Sequence, residues 1–142
     1  MTNEDAFNIV NIGDSHSLEK KITKEMVQSF ADFTGDYNPV HMDEEYCIKH
    51  GLEKRIVHGM LVLSYLSTFI GMHLPGKGAL WMSQSIDFIT PVRLDDTIII
   101  NGEVIKKMNA NALGLNIIVI KIEIENQHGN KVARGTVRVS VK

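Results

Sequence analysis

The run from Gly59 to Leu74, GMLVLSYLSTFIGMHL, constrains the fold more than any other segment. As a helix it puts Met60, Leu61, Val62, Leu63, Leu66, Phe69, Ile70 and Met72 on nearly every face and leaves no polar stripe. Such a helix is expected to be buried on all sides, so the rest of the chain must wrap it. No apolar segment approaches the length needed to span a bilayer.

The second half of the chain supplies a wrapping of the right kind. After LPGKG come four strand-like segments, Ala79 to Ile89, Thr97 to Lys107, Leu113 to Glu125 and Val132 to Val141. In the third, Ile118, Ile120, Ile122 and Ile124 alternate with Val119, Lys121, Glu123 and Glu125; in the fourth, Val137, Val139 and Val141 alternate with Arg138 and Ser140. Turn residues at Asn109-Ala110-Asn111 and from Asn126 to Asn130 predict antiparallel hairpins. The sum is an α+β chain in which an antiparallel sheet surrounds one helix.

Upstream, a short strand is expected around Leu18 to Thr23. A helix capped by Thr23 follows over Lys24 to Thr34, and a second, capped by Asp43, stops at His50-Gly51. The first ten or so residues are expected to be loosely attached. With 142 residues and neither repeat nor linker, one domain over 1–142 is expected.

Fifteen Lys and Arg against 17 Asp and Glu form no basic block, which argues against nucleic acid or an anionic membrane as partner. The acidic, polar start lacks the pattern of a secretory signal, so a cytoplasmic location is expected. Cys47, the single cysteine, permits no intrachain disulfide or thiolate cluster and reads as a small half-buried side chain.

Between the first two helices lies GDYNPVH, Gly35 to His41. Asp, Asn, Gly and Pro are the ordinary residues of a turn, and Asp36 or Asn38 can bond the backbone two residues on. A turn needs no imidazole, however. Asn38-Pro39 imposes an extended bend that aims positions 36 and 41 at a common point, and Asp with neutral His is a pair suited to proton exchange near neutral pH.

The pattern D-x-N-P-x-H-x-D, standing as Asp36, Asn38, Pro39, His41 and Asp43, resembles the MaoC-like (R)-specific enoyl-CoA hydratases. So do RIVHGM from Arg55 to Met60, LPGKG, and the strand end Phe88-Ile89-Thr90-Pro91-Val92. The likeness runs in order from about Phe30 to the C-terminus. It implies a hot dog fold, a sheet wrapped round a long central helix, and a homodimer with an acyl-CoA pocket near the subunit interface.

It further implies Asp36 and His41 as the catalytic pair, with the acid and base roles left open. Gly59 would be the backbone N–H donor to the thioester oxygen, and Ser67 and Asn38 supporting residues. The implied reaction is reversible hydration of trans-2-enoyl-CoA to (R)-3-hydroxyacyl-CoA, with no cofactor beyond the coenzyme A of the substrate. A helix N-terminus suits the oxyanion, and glycine permits close approach.

A dehydratase acting on 3-hydroxyacyl-acyl carrier protein and a non-catalytic acyl-thioester binder remain open. A thioesterase fits less well, because no Asp or Glu occurs between Glu53 and Asp87, where the central helix would need one. His58 reads as a helix-capping or hydrogen-bonded framework residue. Trp81, Met82 and Phe88 read as core or interface, and Lys54, Arg55, Lys77 and Arg93 as surface charge. The other histidines are scattered, and no metal is expected.

Overall fold

A computed structural model describes residues 7–110 and 114–141. A helical turn at 7–9 (α1) precedes β1 (Ser15–Lys21), α2 (Lys24–Thr34), α3 (Pro39–Met42), α4 (Glu44–Lys49) and α5 (Gly59–Met72). Strands β2 (Ala79–Phe88), β3 (Thr97–Ala110), β4 (Leu115–Asn126) and β5 (Lys131–Val141) complete the order. The strands form one sheet, β1-β3-β4-β5-β2, antiparallel at every pairing. This is the hot dog arrangement, with α5 against the inner face.

The alternation read from β4 is what seats the helix. Ile118, Ile120, Ile122 and Ile124 are fully buried, and Ile98, Ile100 and Val104 of β3 and Val137 and Val139 of β5 join them under Leu66, Phe69 and Ile70 of α5. Gly102 makes room for Phe69: a Cβ there would stand 2.5 Å from the ring. Register shifts at Val104/Lys106, Trp81/Ser83 and Ile124/Glu125 add the local twist that lets the sheet curl.

Several expectations need correction. In the single chain α5 is not buried on all sides: Met60 is 63% and Met72 73% exposed, and Ser64, Ser67 and Thr68 lie on the same open stripe. Five strands cover only part of the helix, and apolar residues on the uncovered stripe look no different in sequence from core ones. Nor is the start of the chain loose from Phe7 onward, since Phe7 and Val10 belong to the core and the Lys107 ammonium lies 4.4 Å from the Phe7 ring centre. Ser140, read as an outward residue, is buried.

The β4–β5 turn forms as expected. The Asn126 side chain accepts from the N–H groups of His128 and Asn130, and Gly129 takes φ 77°. At the other expected turn, Asn109 and Ala110 continue β3 instead, and Asn111 lies outside the described residues. No helix among the described residues is long and apolar enough to cross a membrane.

Candidate active site

The site is built by a chain of local hydrogen bonds. Helix α2 begins where the Thr23 hydroxyl accepts from Met26 N–H, and it ends at Gly35, whose φ of 80° suits a residue without Cβ. The Thr34 hydroxyl then accepts from Asp36 N–H at 3.2 Å, the Asp36 carboxylate from Asn38 N–H at 3.2 Å, and the Asn38 side chain from Val40 N–H at 3.3 Å. Successive caps of this kind turn what reads as a plain loop into α3, one helical turn with Pro39 at its start. His41 therefore sits on a helix, not on the loop that the composition suggested.

Helix α3 is pinned to the segment before α5. Ile56 N–H donates to Val40 O at 2.9 Å, and His41 Nδ1 donates back to Ile56 O at 2.6 Å. Because a carbonyl only accepts, this bond fixes the tautomer and leaves His41 Nε2 with a free lone pair. Arg55, read as surface charge, is half-buried and donates from Nε to the His41 carbonyl. Cys47 is fully buried, not half-buried, and its thiol donates to Val40 O at 3.3 Å.

Asp36, His41 and His58 come together, with one ligating atom from each lying within 4.8 Å of the others. Asp36 is exposed, His41 half-buried and His58 only 2% exposed. The rings of His41 and His58 stack at 4.0 Å with 29° between their planes. A metal ion held by both would have to lie in both ring planes, and stacked rings send their in-plane lone pairs side by side instead of to one point. They make poor co-ligands.

A cavity of about 290 Å³ opens beside His41. Its walls are Val57 and Val62, the strand end Phe88 to Val92, and Val132, and Gly59 lines it as the first residue of α5. In that position the Gly59 N–H has no carbonyl four residues back to bond. Phe88, expected in the core or at an interface, is 52% exposed and lines the cavity, so it is not a core residue of the single chain. The cavity has apolar walls and is also lined by an imidazole and a helix N-terminus.

Of the expected site residues, His41 and Gly59 line the cavity, and Asp36 lies close to His41 without lining it. Asn38 acts on the backbone that carries His41. Ser67 lies on the exposed stripe of α5 and does not line the cavity. Sequence reasoning left Arg55 and Phe88 out of the site and read His58 as a capping or hydrogen-bonded framework residue, which the structure shows hydrogen-bonded to Asp36 O; for Arg55 and His58 the signal available was their place in RIVHGM beside Gly59.

Fold and site together define a hot dog domain with a carboxylate–imidazole pair whose imidazole lines an apolar cavity of about 290 Å³. The pattern of the MaoC like domain matches residues 10–127, and the chain belongs to that family. It is 36% identical over 98 residues to the 3-hydroxybutyryl-CoA dehydratase of Methylorubrum extorquens, covering 69% of this chain and 62% of that protein. It is 39% identical over 92 residues to the (R)-specific enoyl-CoA hydratase of Rhodospirillum rubrum, covering 65% and 64%. The matched stretch thus spans less than two thirds of either relative. Among solved structures, the (R)-hydratase from A. caviae involved in PHA biosynthesis superimposes with a TM-score of 0.85 at 30% identity, over 94% of this chain and 98% of that one.

Proposed function

We propose that the protein is an (R)-specific enoyl-CoA hydratase, a hydro-lyase adding water reversibly across the C2=C3 bond of trans-2-enoyl-CoA to give (R)-3-hydroxyacyl-CoA. The observation that carries this reading is that His41, gathered with the Asp36 carboxylate so that one ligating atom of each lies within 4.8 Å of the other, lines a cavity that also reaches Gly59.

In this mechanism Asp36 and His41 hold one water between them. As its oxygen bonds to C3, one of the two takes the water proton, and the C2=C3 pair shifts toward the thioester. The oxygen becomes enolate-like and is met by the Gly59 N–H at the positive end of α5. Return of the electron pair to C2, with a proton delivered there, completes the addition. No metal or cofactor beyond the substrate's coenzyme A takes part. The hand of the product follows the relatives named above.

The active form proposed is a cytoplasmic homodimer. Among the described residues β2 has a free edge, Leu80, Met82, Phe88 and Ile89 are exposed, and Asp36 and the stripe of α5 are open, which supports a second copy packed on this chain. Ser67, on that stripe, is assigned its supporting role only within the dimer. A dehydratase acting on 3-hydroxyacyl-acyl carrier protein would use the same residues, because that carrier presents its acyl group on the same pantetheine arm as coenzyme A. A non-catalytic binder has no use for a proton-transfer pair.

The test follows the absorbance of the conjugated enoyl thioester with crotonyl-CoA, reading the product's hand with a stereospecific dehydrogenase. The proposal requires (R) product, and a loss of roughly 10²- to 10⁴-fold in Asp36→Asn and His41→Ala at unchanged circular dichroism. An inert parent protein, or variants that match it, would overturn the assignment.

A further inference from the structure

His58 occupies the N-cap of α5, yet its side chain makes no capping bond there. Asn, Asp, Ser or Thr at that position would satisfy a free N–H of the helix. The imidazole does something else. Its Nε2–H donates to the backbone carbonyl of Asp36 at 3.0 Å, one of its faces stacks on His41 at 4.0 Å, and the Phe30 ring packs at 4.8 Å. His58 is only 2% exposed, and its Nδ1 has no hydrogen-bond partner among the described residues. A buried acceptor left bare is costly, so the ring is held there at a disadvantage to the fold.

Asp36 and His41 lie on different pieces of chain geometry: the first follows the end of α2, the second rides on α3. Local caps join them in sequence, but those bonds are exposed ones of 3.2–3.3 Å that water competes for. His58 touches both from beneath. One side chain bonds the backbone of Asp36 and supports the ring of His41, and its own backbone leads into Gly59, the third member of the site.

Resting on the hydratase reading above, we propose that His58 is a positioning residue that sets the distance between Asp36 and His41 and registers both on Gly59. It touches neither water nor substrate; it acts through the two residues that do.

Three variants separate this from a structural role. His58→Asn supplies a good helix cap but can neither reach Asp36 O nor stack on His41. His58→Phe keeps a ring without the donor, and His58→Gln keeps an N–H at about the reach of Nε2 without the ring. With crotonyl-CoA the expected result is a fall in kcat on the order of 10- to 100-fold for His58→Asn, at a KM within about twofold and a melting temperature at or above the parent's. His58→Phe and His58→Gln should each recover part of the loss.

A purely structural His58 predicts that the well-capped His58→Asn keeps the parent's kcat, and that result overturns the proposal. Long-range ¹H–¹⁵N spectra of the unsubstituted protein give a measurement that needs no variant to fold. His58 should be protonated at Nε2 with Nδ1 bare, and the opposite tautomer removes the bond to Asp36 and with it the proposal. Failure of the underlying reading looks different: Asp36→Asn and His41→Ala would then be as active, or as inert, as the parent whatever stands at position 58.

Discussion

The ring of Phe88 lies against Gly59: a Cβ at position 59 would stand 3.0 Å from the ring's Cζ and 3.3 Å from both Cε atoms. The two residues line the same cavity, one at the end of β2 and one at the start of α5. A side chain at 59 must therefore push the ring or intrude where a thioester carbonyl would meet the helix N-terminus. Gly59→Ala keeps the N–H, yet it should lower kcat/KM for crotonyl-CoA by roughly 10²-fold through misplacement alone. Phe88→Leu in the same chain should restore part of the rate, because the atoms that the new methyl meets all belong to the ring. Equal rates for the parent and Gly59→Ala would show that no acyl carbonyl approaches this glycine.

Arg55 holds the carbonyl of the residue whose imidazole is used. Its Nε donates to His41 O while Nη2 lies 3.9 Å from Met42 Sδ, so the guanidinium clamps the last turn of α3. Arg55→Met preserves most of the apolar stem but leaves that carbonyl without its donor. The expected cost is about 1–3 kcal/mol in a urea titration, with a fall in kcat because His41 loses its fixed height over the cavity. Arg55→Lys should recover stability better than rate, since an ammonium lacks the planar fork. A variant with parent stability and parent kcat would make the clamp incidental.

What could be read from sequence was whatever depends on local periodicity or local caps. The isoleucine ladder of β4 named the inner face of the sheet, and Thr23 marked the start of α2 over Lys24 to Thr34, because a cap is decided by neighbours within four residues. GDYNPVH marked the site through residue types, but its turn-forming composition concealed α3: Asn38 and Pro39 are as good at starting a helix as at making a bend. The contacts that complete the site span the chain. Phe88 on Gly59 and His58 on the Asp36 backbone depend on where α5 lies against the end of β2 and the loop after α2, which no window of sequence contains. Hydropathy likewise gave no hint that the sheet covers one side of α5 and leaves Met60 and Met72 bare.

Gly102 of β3 lies directly under Phe69 of α5. A Cβ on Gly102 would fall 2.5 Å from Phe69 Cζ, 2.6 Å from Cε1 and 3.2 Å from Ile120 Cγ2. Phe69 and Ile120 are both fully buried, so the ring has nowhere to go. Gly102→Ala should destabilise the fold by about 1–3 kcal/mol through overpacking. Phe69→Leu, itself destabilising, should cost less in the Gly102→Ala background than alone, because the smaller side chain vacates the space that the new methyl needs. Strictly additive urea midpoints for the pair would contradict the contact.

Tyr37 ties the active-site loop back to α2, its hydroxyl donating to Asp32 Oδ1 at 2.8 Å. The bond to the Asp32 carboxylate, with smaller contributions from desolvation and from the carboxylate's charge, raises the phenol above its ordinary value of 10.0. A raised folded-state value means that the protonated phenol is the bonded form. Its contribution is whole below the ordinary range and is lost as pH climbs through the folded value. Tyr37→Phe lacks the bond at every pH. The melting temperature of the parent should therefore exceed that of Tyr37→Phe by a small margin near neutrality, small because the pair is exposed to water. That margin should close as pH rises beyond the ordinary phenol range, and Asp32→Asn should shift the tyrosinate absorbance of Tyr37 to lower pH. A margin that stays constant into the alkaline range would mean that Tyr37 stabilises the loop by packing and not through Asp32.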